Sequence, residues 1–284
     1  MAHDIRELEK EDFPRLLFEI PDCPERLRIR GKLPKNEPKF LCVVGSRRYT
    51  NYGRDVCEKL ITGLKGKNIV IVSGLALGID ALAHKTALRA GLKTVGIPGS
   101  GLDPSIIYPR TNRVLSEKII NSGGALISEF EDKFKATPQS FPRRNRIMAG
   151  MSDAVLIIEA EPRSGTLITA RLGLEYNREV FVVPGSILSR NSLGTNALIK
   201  DGAIPINSSE DLLEELGLQE NRETLNLNFL SEEERRIIEI LKTPMSRDEL
   251  IKRLDLGISQ SNLLISAMEI KGLIRENLGI LRID

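Results

Sequence analysis

The sequence contains no tryptophan and only eight phenylalanines and four tyrosines among its 284 residues. This scarcity excludes a binding surface built on many stacked aromatic rings. The two histidines, His3 and His84, lie far apart, which excludes a histidine-rich metal site. The three cysteines (Cys23, Cys42 and Cys57) form no Cys-x-x-Cys pair, so a structural zinc site is not expected. An odd number of scattered thiols is typical of a protein from a reducing cytoplasm.

Long hydrophobic runs are also absent. No segment reaches the length of a membrane span, and the charged start MAHDIRELEKEDF lacks the pattern of a signal peptide. We therefore predict a cytoplasmic protein. Neither sign of charge dominates, since 41 lysines and arginines oppose 39 aspartates and glutamates. That balance by itself argues against a nucleic-acid ligand, because phosphate binding favours a basic face.

Short apolar runs alternate with amphipathic segments between Phe40 and Leu216. The runs are rich in β-branched residues and lack polar alternation, which is typical of strands buried on both faces of a parallel sheet. They lie at 40–44, 69–72, 93–97, 125–128, 154–158 and 180–183. Strands and helices that alternate at this spacing indicate βαβ units. The predicted fold class is therefore α/β, with a Rossmann-like, doubly wound and mostly parallel sheet.

Other segments flank this predicted Rossmann-like domain, which we assign to residues 39–217. Residues 1–38 hold five prolines and predict a short helix followed by an extended lead-in. The polar residues 218–228 predict a linker. Residues 229–284 contain three helical patterns and a hairpin, the order of a small winged helix-turn-helix domain. The first of these helices starts at Ser231 with a glutamate three residues later, which predicts a capping box.

Polar, glycine-containing loops follow three of the predicted strands. They span residues 45–48, 73–78 and 163–166. In an open α/β sheet the ligand lies outside the carboxyl ends of the strands, where small residues let backbone amides approach an anion. One such loop is most often only a tight turn, whereas three at one edge predict a phosphate or nucleotide site. Neither a GxxxxGK[ST] P-loop nor a strand-linked GxGxxG occurs, so no ATP or NAD cofactor is predicted.

The densest basic cluster is FPRRNR at residues 141–146. Arginines at a helix start are disfavoured by the positive end of the helix dipole. One interpretation is a solvated helix face that pairs with the acidic residues of 129–132. The other is a phosphate clamp in which Phe141 stacks on a base and Lys135 extends the basic surface. We favour the clamp, because a locally unfavourable charge usually has a ligand that compensates it.

His84 follows Asp80 by one helical turn in the segment GIDALAHKTA. A general base is one interpretation of this histidine, but no nucleophile signature accompanies it. A structural Asp80–His84 pair is therefore the preferred interpretation. Glu159 and Glu161 follow a strand without a partner motif, which argues against a hydrolase that uses paired carboxylates.

Six motifs in a fixed order resemble those of the DprA (Smf) family of DNA-processing proteins. They cover about residues 20–216 and read VVGSRRYTNYG, VSGLALGIDALAH, GSGLDPSIIYPRTN, SFPRRNRIMAGMSDAVLIIEA, SGTLITA and VFVVPGS. The resemblance implies a Rossmann-like core that binds single-stranded DNA and loads the RecA recombinase onto it during natural transformation, without catalysis. Many members begin with a helical domain, which we expect to be missing or vestigial in residues 1–38.

The resemblance also implies roles for individual residues. Ser46 and Arg47 of the GSR turn would contact backbone phosphate, the amides of Ser73 and Gly74 would face the DNA, and Phe141 would stack on a base. The predicted DNA-binding residues are Ser46, Arg47, Arg48, Ser73, Gly74, Lys135, Phe141, Arg143, Arg144, Asn145, Arg146, Ser164, Gly165 and Thr166. A homodimer is implied through a late apolar patch, here Ile187, Leu188, Leu193 and Leu198.

Two other functions remain open at this point. The GSR and SGTL motifs also look like those of nucleoside-monophosphate phosphoribohydrolases, whose GGxGTxxE pattern carries a catalytic glutamate. The matching stretch RSGTLITA has Ala170 and no glutamate at the expected place, which argues against this enzyme. A winged-helix transcription regulator is disfavoured by charge, because residues 229–284 hold nine basic and ten acidic residues. Residues 39–217 hold 23 basic against 18 acidic residues, so this core is the expected DNA-binding segment.

Overall fold

The computed structural model describes residues 4–34, 36–219, 231–254, 256–271, 273–277 and 279–283. The chain divides into two compact units, Met1–Leu218 and Gln219–Asp284. Among the described residues, none of the helices combines the length and the apolar character that crossing a lipid bilayer requires.

One sheet organises the first unit. In the described residues its nine strands are Arg6–Leu8 (β1), Leu27–Gly31 (β2), Lys39–Val44 (β3), Ile69–Ser73 (β4), Lys93–Gly96 (β5), Ala125–Ser128 (β6), Ala154–Ile157 (β7), Glu179–Val182 (β8) and Ile204–Pro205 (β9). Their order is β1-β2-β6-β5-β4-β3-β7-β8-β9. Strands β3 to β9 pair in parallel, whereas β1 and β2 are antiparallel additions next to β6. This topology confirms the predicted fold class.

The winding of the sheet reverses at β3. The chain adds β4, β5 and β6 on one side of β3, and β7, β8 and β9 on the other side. Leu41 of β3 is accordingly in register with both Ile71 of β4 and Ala154 of β7. The carboxyl ends of β3 and β7 therefore border the crevice in which open α/β sheets bind their ligands.

Helices cover both faces of this sheet. Those described in the first unit are Asn51–Gly63 (α1), Ile79–Arg89 (α2), Arg113–Asn121 (α3), Ser140–Gly150 (α4), Gly165–Glu175 (α5), Leu193–Lys200 (α6) and Ser209–Glu215 (α7). Helices α1, α2 and α7 share one hydrophobic core, and α4, α5 and α6 share another. Short 3-10 helices occur at Lys10–Asp12, Arg15–Glu19, Arg110–Asn112 and Arg190–Ser192.

Successive residues of a central strand point into different cores. In β3, Leu41 and Val43 pack with α1 and α2, whereas Cys42 and Val44 pack with α4 and α5. All four side chains are buried, as the two-residue period of a strand requires when helices cover both faces. The uninterrupted apolar runs of the sequence thus correspond to strands without a solvent face.

The N-terminal segment differs from the predicted short helix and extended lead-in. Its helical part consists of the two 3-10 helices at Lys10–Asp12 and Arg15–Glu19. Its extended part is β2, which pairs antiparallel along β6, and β1 pairs with β2 as the outermost strand. Ile29 is in register with Ile127, far along the chain. The hydrophobic pattern of β2 cannot predict this pairing, because its partner strand β6 lies far along the chain.

Two arginines join the N-terminal segment to the rest of the first unit. The Arg178 guanidinium donates hydrogen bonds to the carbonyls of Leu16 and Gly150 and to the Glu19 carboxylate. Arg30 of β2 donates two hydrogen bonds, of 2.6 and 3.0 Å, to a glutamate of α3. Charge-assisted hydrogen bonds of this kind are stronger than neutral ones. They explain how a proline-rich segment becomes part of the sheet.

The second unit contains three helices and a small antiparallel sheet. Its described elements are Glu232–Ile240 (α8), Met245–Ser246 (β10), Arg247–Leu254 (α9), Ile258–Ile270 (α10), Ile274–Asn277 (β11) and Ile280–Ile283 (β12). The predicted capping box is confirmed, since Ser231 and Glu234 exchange side-chain to backbone hydrogen bonds. The predicted linker lies outside the described residues from 220 onward. The winged-helix assignment and the domain boundaries remain predictions.

We expect Arg178→Ala to lower the free energy of unfolding by about 2 kcal/mol, because two carbonyl groups lose a charged donor. A protease should also cut the variant faster within residues 4–31. Urea denaturation and limited proteolysis measure the two effects. The matched control is Arg89→Ala, which removes a 63% exposed side chain that pairs with Glu58. A surface pair contributes only about 0–1 kcal/mol. Equal stability of Arg178→Ala and the parent would contradict the expectation.

Candidate functional site

A cavity of about 580 Å³ lies at the carboxyl ends of β3 and β7. It occupies the crevice created by the reversal of winding at β3. Its walls come from the loops after these two strands, from the loop after β4 and from α4. The structure brings together nine of the predicted site residues around it, namely Ser46, Arg47, Arg48, Phe141, Arg144, Asn145, Ser164, Gly165 and Thr166.

The turn after β3 is held by its own hydrogen bonds. The buried Ser46 hydroxyl accepts a hydrogen bond of 3.1 Å from the Arg48 amide. The Thr166 hydroxyl of α5 donates to the Gly45 carbonyl at 3.1 Å and so joins this turn to the loop after β7. Ser46 therefore shapes the turn, while the exposed side chains of Arg47 and Arg48 line the cavity.

Glu159 anchors the far end of the same turn. Its buried carboxylate accepts hydrogen bonds from the Thr50 amide at 2.9 Å, the Thr50 hydroxyl at 2.5 Å and the Asn191 amide group at 3.2 Å. Thr50 in turn caps α1 by accepting from the Gly53 amide. This role could not be predicted, because Asn191 lies far along the chain and no motif links the three residues.

Arg144 forms the floor of the cavity. Its guanidinium is only 5% exposed, donates to the Ile97 carbonyl at 2.8 Å and lies 3.9 Å from the Asp80 carboxylate. Burial raises the pKa of the Asp80 carboxyl, while Arg144 and two backbone amides act in the opposite direction. Burial likewise lowers the pKa of Arg144. Asp80 is a site residue that the sequence analysis missed, because only the fold brings α2 and α4 together here.

Gly74 provides the space in which the Arg144 guanidinium lies. A Cβ atom on Gly74 would stand only 1.4 Å from Nη1 of Arg144. The predicted role of the Gly74 amide as a ligand donor is not realised, since this amide donates to Asp80 at 3.2 Å. Ser73 does not line the cavity either, and its buried hydroxyl donates to the Val43 carbonyl at 2.6 Å. Both residues therefore hold neighbouring groups of the site in place and do not line the cavity themselves.

The remaining cations of the basic cluster do not line the cavity. Arg143 and Arg146 both form ion pairs with Glu129, and Arg146 also pairs with Asp22. Lys135 is exposed and lines none of the described cavities. Arg144 thus lines the cavity, whereas Arg143 and Arg146 pair with an acidic residue upstream, as the solvated-face interpretation expects. The phosphate clamp stays a prediction.

Three arginines carry positive charge at the rim of the cavity. Arg47, Arg48 and Arg163 are exposed and form no ion pair with any other residue of the described chain. Arg163 adopts a positive φ of 63° directly before α5, and its side chain was not among the predicted site residues. Glu161 also lines the cavity, but Arg190 neutralises it at 3.0 Å. The rim is therefore net cationic.

The start of α5 adds further hydrogen-bond donors. Throughout the described residues, no group accepts from the Gly165 and Thr166 amides, and the buried Ser164 hydroxyl has no partner. Free amides at a helix start, together with the helix dipole, bind anions. Since these groups line the same cavity as the rim arginines, the cavity is equipped to bind a phosphate-sized anion.

Phe141 places an aromatic ring beside these charges. Its ring packs against Gly99, where a Cβ atom would approach it to 2.7 Å. The Arg47 guanidinium lies 5.6 Å from the ring centroid, and the Tyr108 ring lies 6.1 Å away at a tilt of 50°. A cation and two rings at the mouth of an anion site are the groups that a nucleotide base can stack against.

His84 does not pair with Asp80, so the preferred interpretation of this histidine was wrong. It is fully buried, and its Nδ1 donates to the Thr94 hydroxyl at 2.6 Å, because that hydroxyl itself donates to the Ile71 carbonyl at 2.7 Å. Asp80 faces Arg144 instead. Burial lowers the pKa of His84 from 6.5 to about 3. The residue is therefore a neutral core histidine.

This buried histidine predicts a loss of stability in acid. The unfolded chain binds a proton near the ordinary histidine pKa, whereas folded His84 stays neutral down to about pH 3. Its contribution is thus present above about pH 6.5 and lost as the pH falls. Between about pH 6 and pH 4, the free energy of unfolding of the parent should fall by up to about 1.4 kcal/mol per pH unit more than that of His84→Gln. Parallel pH profiles in chemical denaturation would contradict this.

Comparisons with known proteins agree with the predicted resemblance. The family model for DNA recombination-mediator protein A matches residues 5–217. The chain is 41% identical over 218 residues to protein Smf of Escherichia coli strain K12, a match that covers 75% of this chain and 57% of the relative. It is 42% identical over 203 residues to DNA processing protein DprA of Streptococcus pneumoniae, covering 72% of this chain and 71% of the relative.

Two solved structures are similar over the same region. The X-ray structure of DprA from Streptococcus pneumoniae gives a TM-score of 0.68 at 38% identity and covers 75% of both chains. A structure of DNA processing protein A from Helicobacter pylori, described for its single-stranded DNA binding mode, gives a TM-score of 0.66 at 31% identity. That match covers 76% of this chain and 98% of the other. On the family model, the sequence relatives and the fold together, the chain belongs to the DNA recombination-mediator protein A (DprA) family.

Proposed function

We propose that the chain binds single-stranded DNA in the cavity between β3 and β7, protects incoming DNA and loads RecA onto it during natural transformation. The observation that carries the DNA-binding part is that Arg47, Arg48 and Arg163 surround one cavity, are exposed and form no ion pair within the described residues. Exposed cations that lack a protein partner are available to neutralise backbone phosphates. The single-stranded DNA binding described for the Helicobacter pylori relative supports this choice of ligand.

The proposed binding mode is electrostatic at the backbone and aromatic at the base. A phosphate would lie against the start of α5, where Ser164, Gly165 and Thr166 offer donors and Arg163 offers charge. A neighbouring base would stack at Phe141, because every base has a π-face and stacking is tolerant of sequence. Weak sequence preference and strong salt dependence follow from this mode. No catalytic step is assigned to these residues.

Three parts of the proposal rest on membership of the family, namely the action on RecA, the cytoplasmic location and the homodimer. The description of the family as a DNA recombination mediator supports the proposed action on RecA. A cytoplasmic location belongs to the same proposal. A homodimer could use the exposed Ile187, Leu188 and Leu193, which are 80%, 91% and 43% exposed. Leu198, which we predicted in the same patch, is instead buried in the core at 6% exposure. The proposed patch is therefore smaller than predicted.

Arg47→Ala and Arg163→Ala should each weaken binding of an oligothymidylate about tenfold. Each variant should also reduce the slope of log affinity against log salt by about 0.7, the value for one phosphate contact on a single strand. Fluorescence anisotropy over a range of salt concentrations measures both quantities.

The matched control for these variants is Arg15→Ala, which removes an exposed arginine that lines none of the described cavities. It should bind as the parent does. Parental binding by both rim variants would refute the proposed site. Release of free base from a nucleoside monophosphate by the parent would favour the enzyme alternative instead.

Gly74→Ala tests whether the floor of the cavity matters. The added methyl group would displace the Arg144 guanidinium, the flexible end of a long side chain, with little change to the backbone. We expect an affinity loss of about tenfold for oligothymidylate, comparable to the loss of one charged hydrogen bond. Gly257→Ala is the control, since a Cβ atom there meets nothing within 4 Å. Unchanged DNA binding by a folded Gly74→Ala variant would show that the position of Arg144 is not used.

A further inference from the structure

A second depression lies beside the cavity, on the far side of the loop after β4. We call it the α2 groove; its volume is about 280 Å³, and its walls include Tyr49, Leu77, Ala81, Lys85 and Thr111. Leu77 is 49% exposed and Tyr49 is 39% exposed, although both carry large apolar surfaces. The residues proposed above as DNA contacts do not line this groove. The proposed function therefore assigns no role to the α2 groove.

A narrow cleft connects the α2 groove to the cavity. This cleft has a volume of about 30 Å³ and shares Arg47, Ala76 and Phe141 with the cavity. It shares Leu77 with the α2 groove. Cavity, cleft and groove thus follow one another along the surface with common walls. A linear polymer that leaves the cavity past Phe141 meets Leu77 and then the groove.

The chemistry of the α2 groove matches the backbone and bases of such a polymer. Lys85 is exposed and forms no ion pair with another residue in the described parts of the chain, and no carboxylate lines the groove. The ring of Tyr49 and the side chain of Leu77 offer apolar surface for a base. Asn112 is not available, because its amide group already donates to the carbonyls of Leu75 and Ala76. An unopposed cation beside an aromatic ring is the arrangement that single-stranded nucleic acids use.

We propose that the α2 groove is a second subsite for single-stranded DNA, occupied by the part of the strand that leaves the cavity past Phe141. A base lies against Tyr49 and Leu77, and Lys85 neutralises a backbone phosphate. This inference rests on the proposed function, because the strand must first occupy the cavity. Short oligonucleotides fill the cavity alone, and longer ones gain the groove contacts.

The test measures affinity as a function of length for labelled oligothymidylates of about two to about fifteen nucleotides, the range of site sizes for single-strand binders. Lys85→Ala and Tyr49→Ala should bind the longest probe about tenfold more weakly than the parent and the shortest probe equally well. Lys85→Ala should also lower the salt slope for the long probe by about 0.7. Arg47→Ala should weaken binding at every length.

Conservative variants separate a direct contact from a structural effect. Lys85→Arg keeps the charge and Tyr49→Phe keeps the ring, so both should restore binding of the long probe. Lys118→Ala, a change at an exposed lysine of α3, is the control for general loss of charge. If Lys85→Ala and Tyr49→Ala bind the long probe with parental affinity and salt slope, the groove is not a subsite and the proposed function stands. If the parent binds no oligothymidylate, the proposed function and this inference both fail.

Discussion

Strand β3 has parallel neighbours on both sides, and the chain reaches them through helices on opposite faces of the sheet. No helix can therefore close the gap between the carboxyl ends of β3 and β7. The turn at 45–48, the start of α5 and the side chains of α4 all meet at this gap. The hydrogen bond from Thr166 to the Gly45 carbonyl and the buried Glu159 fix the loops that border it. The cavity is thus a consequence of strand order.

The cavity has a buried floor, formed by the pair of Arg144 and Asp80, and an exposed cationic rim. Burying a cation is costly unless it is paired and hydrogen-bonded, and Arg144 has a carbonyl and a carboxylate as partners. Its position is further limited by packing on Gly74. Arg47, Arg48 and Arg163, by contrast, are exposed. A preordered floor reduces the conformational entropy that ligand binding costs, while the rim arginines supply long-range attraction.

The sequence predicted the central strands closely, because β-branched runs without polar alternation are typical of strands that helices cover on both faces. The run at 125–128 coincides with β6, and the other five runs overlap their strands. The loops of the site could also be predicted, because small residues directly after a strand let backbone amides approach an anion. Contacts between segments that are distant in the sequence could not be predicted. Glu159 with Asn191, Asp80 with Arg144 and β2 with β6 each join parts of the chain that no local pattern relates.

The proposed function requires that single-stranded DNA occupies the cavity between β3 and β7. The most direct measurement is a crystal structure of the chain with a bound oligothymidylate. We predict a backbone phosphate within hydrogen-bond distance of the Gly165 amide and of the Arg163 or Arg47 guanidinium, with a base stacked at Phe141. An oligothymidylate bound only to the second unit, with the cavity filled by solvent, would contradict the claim.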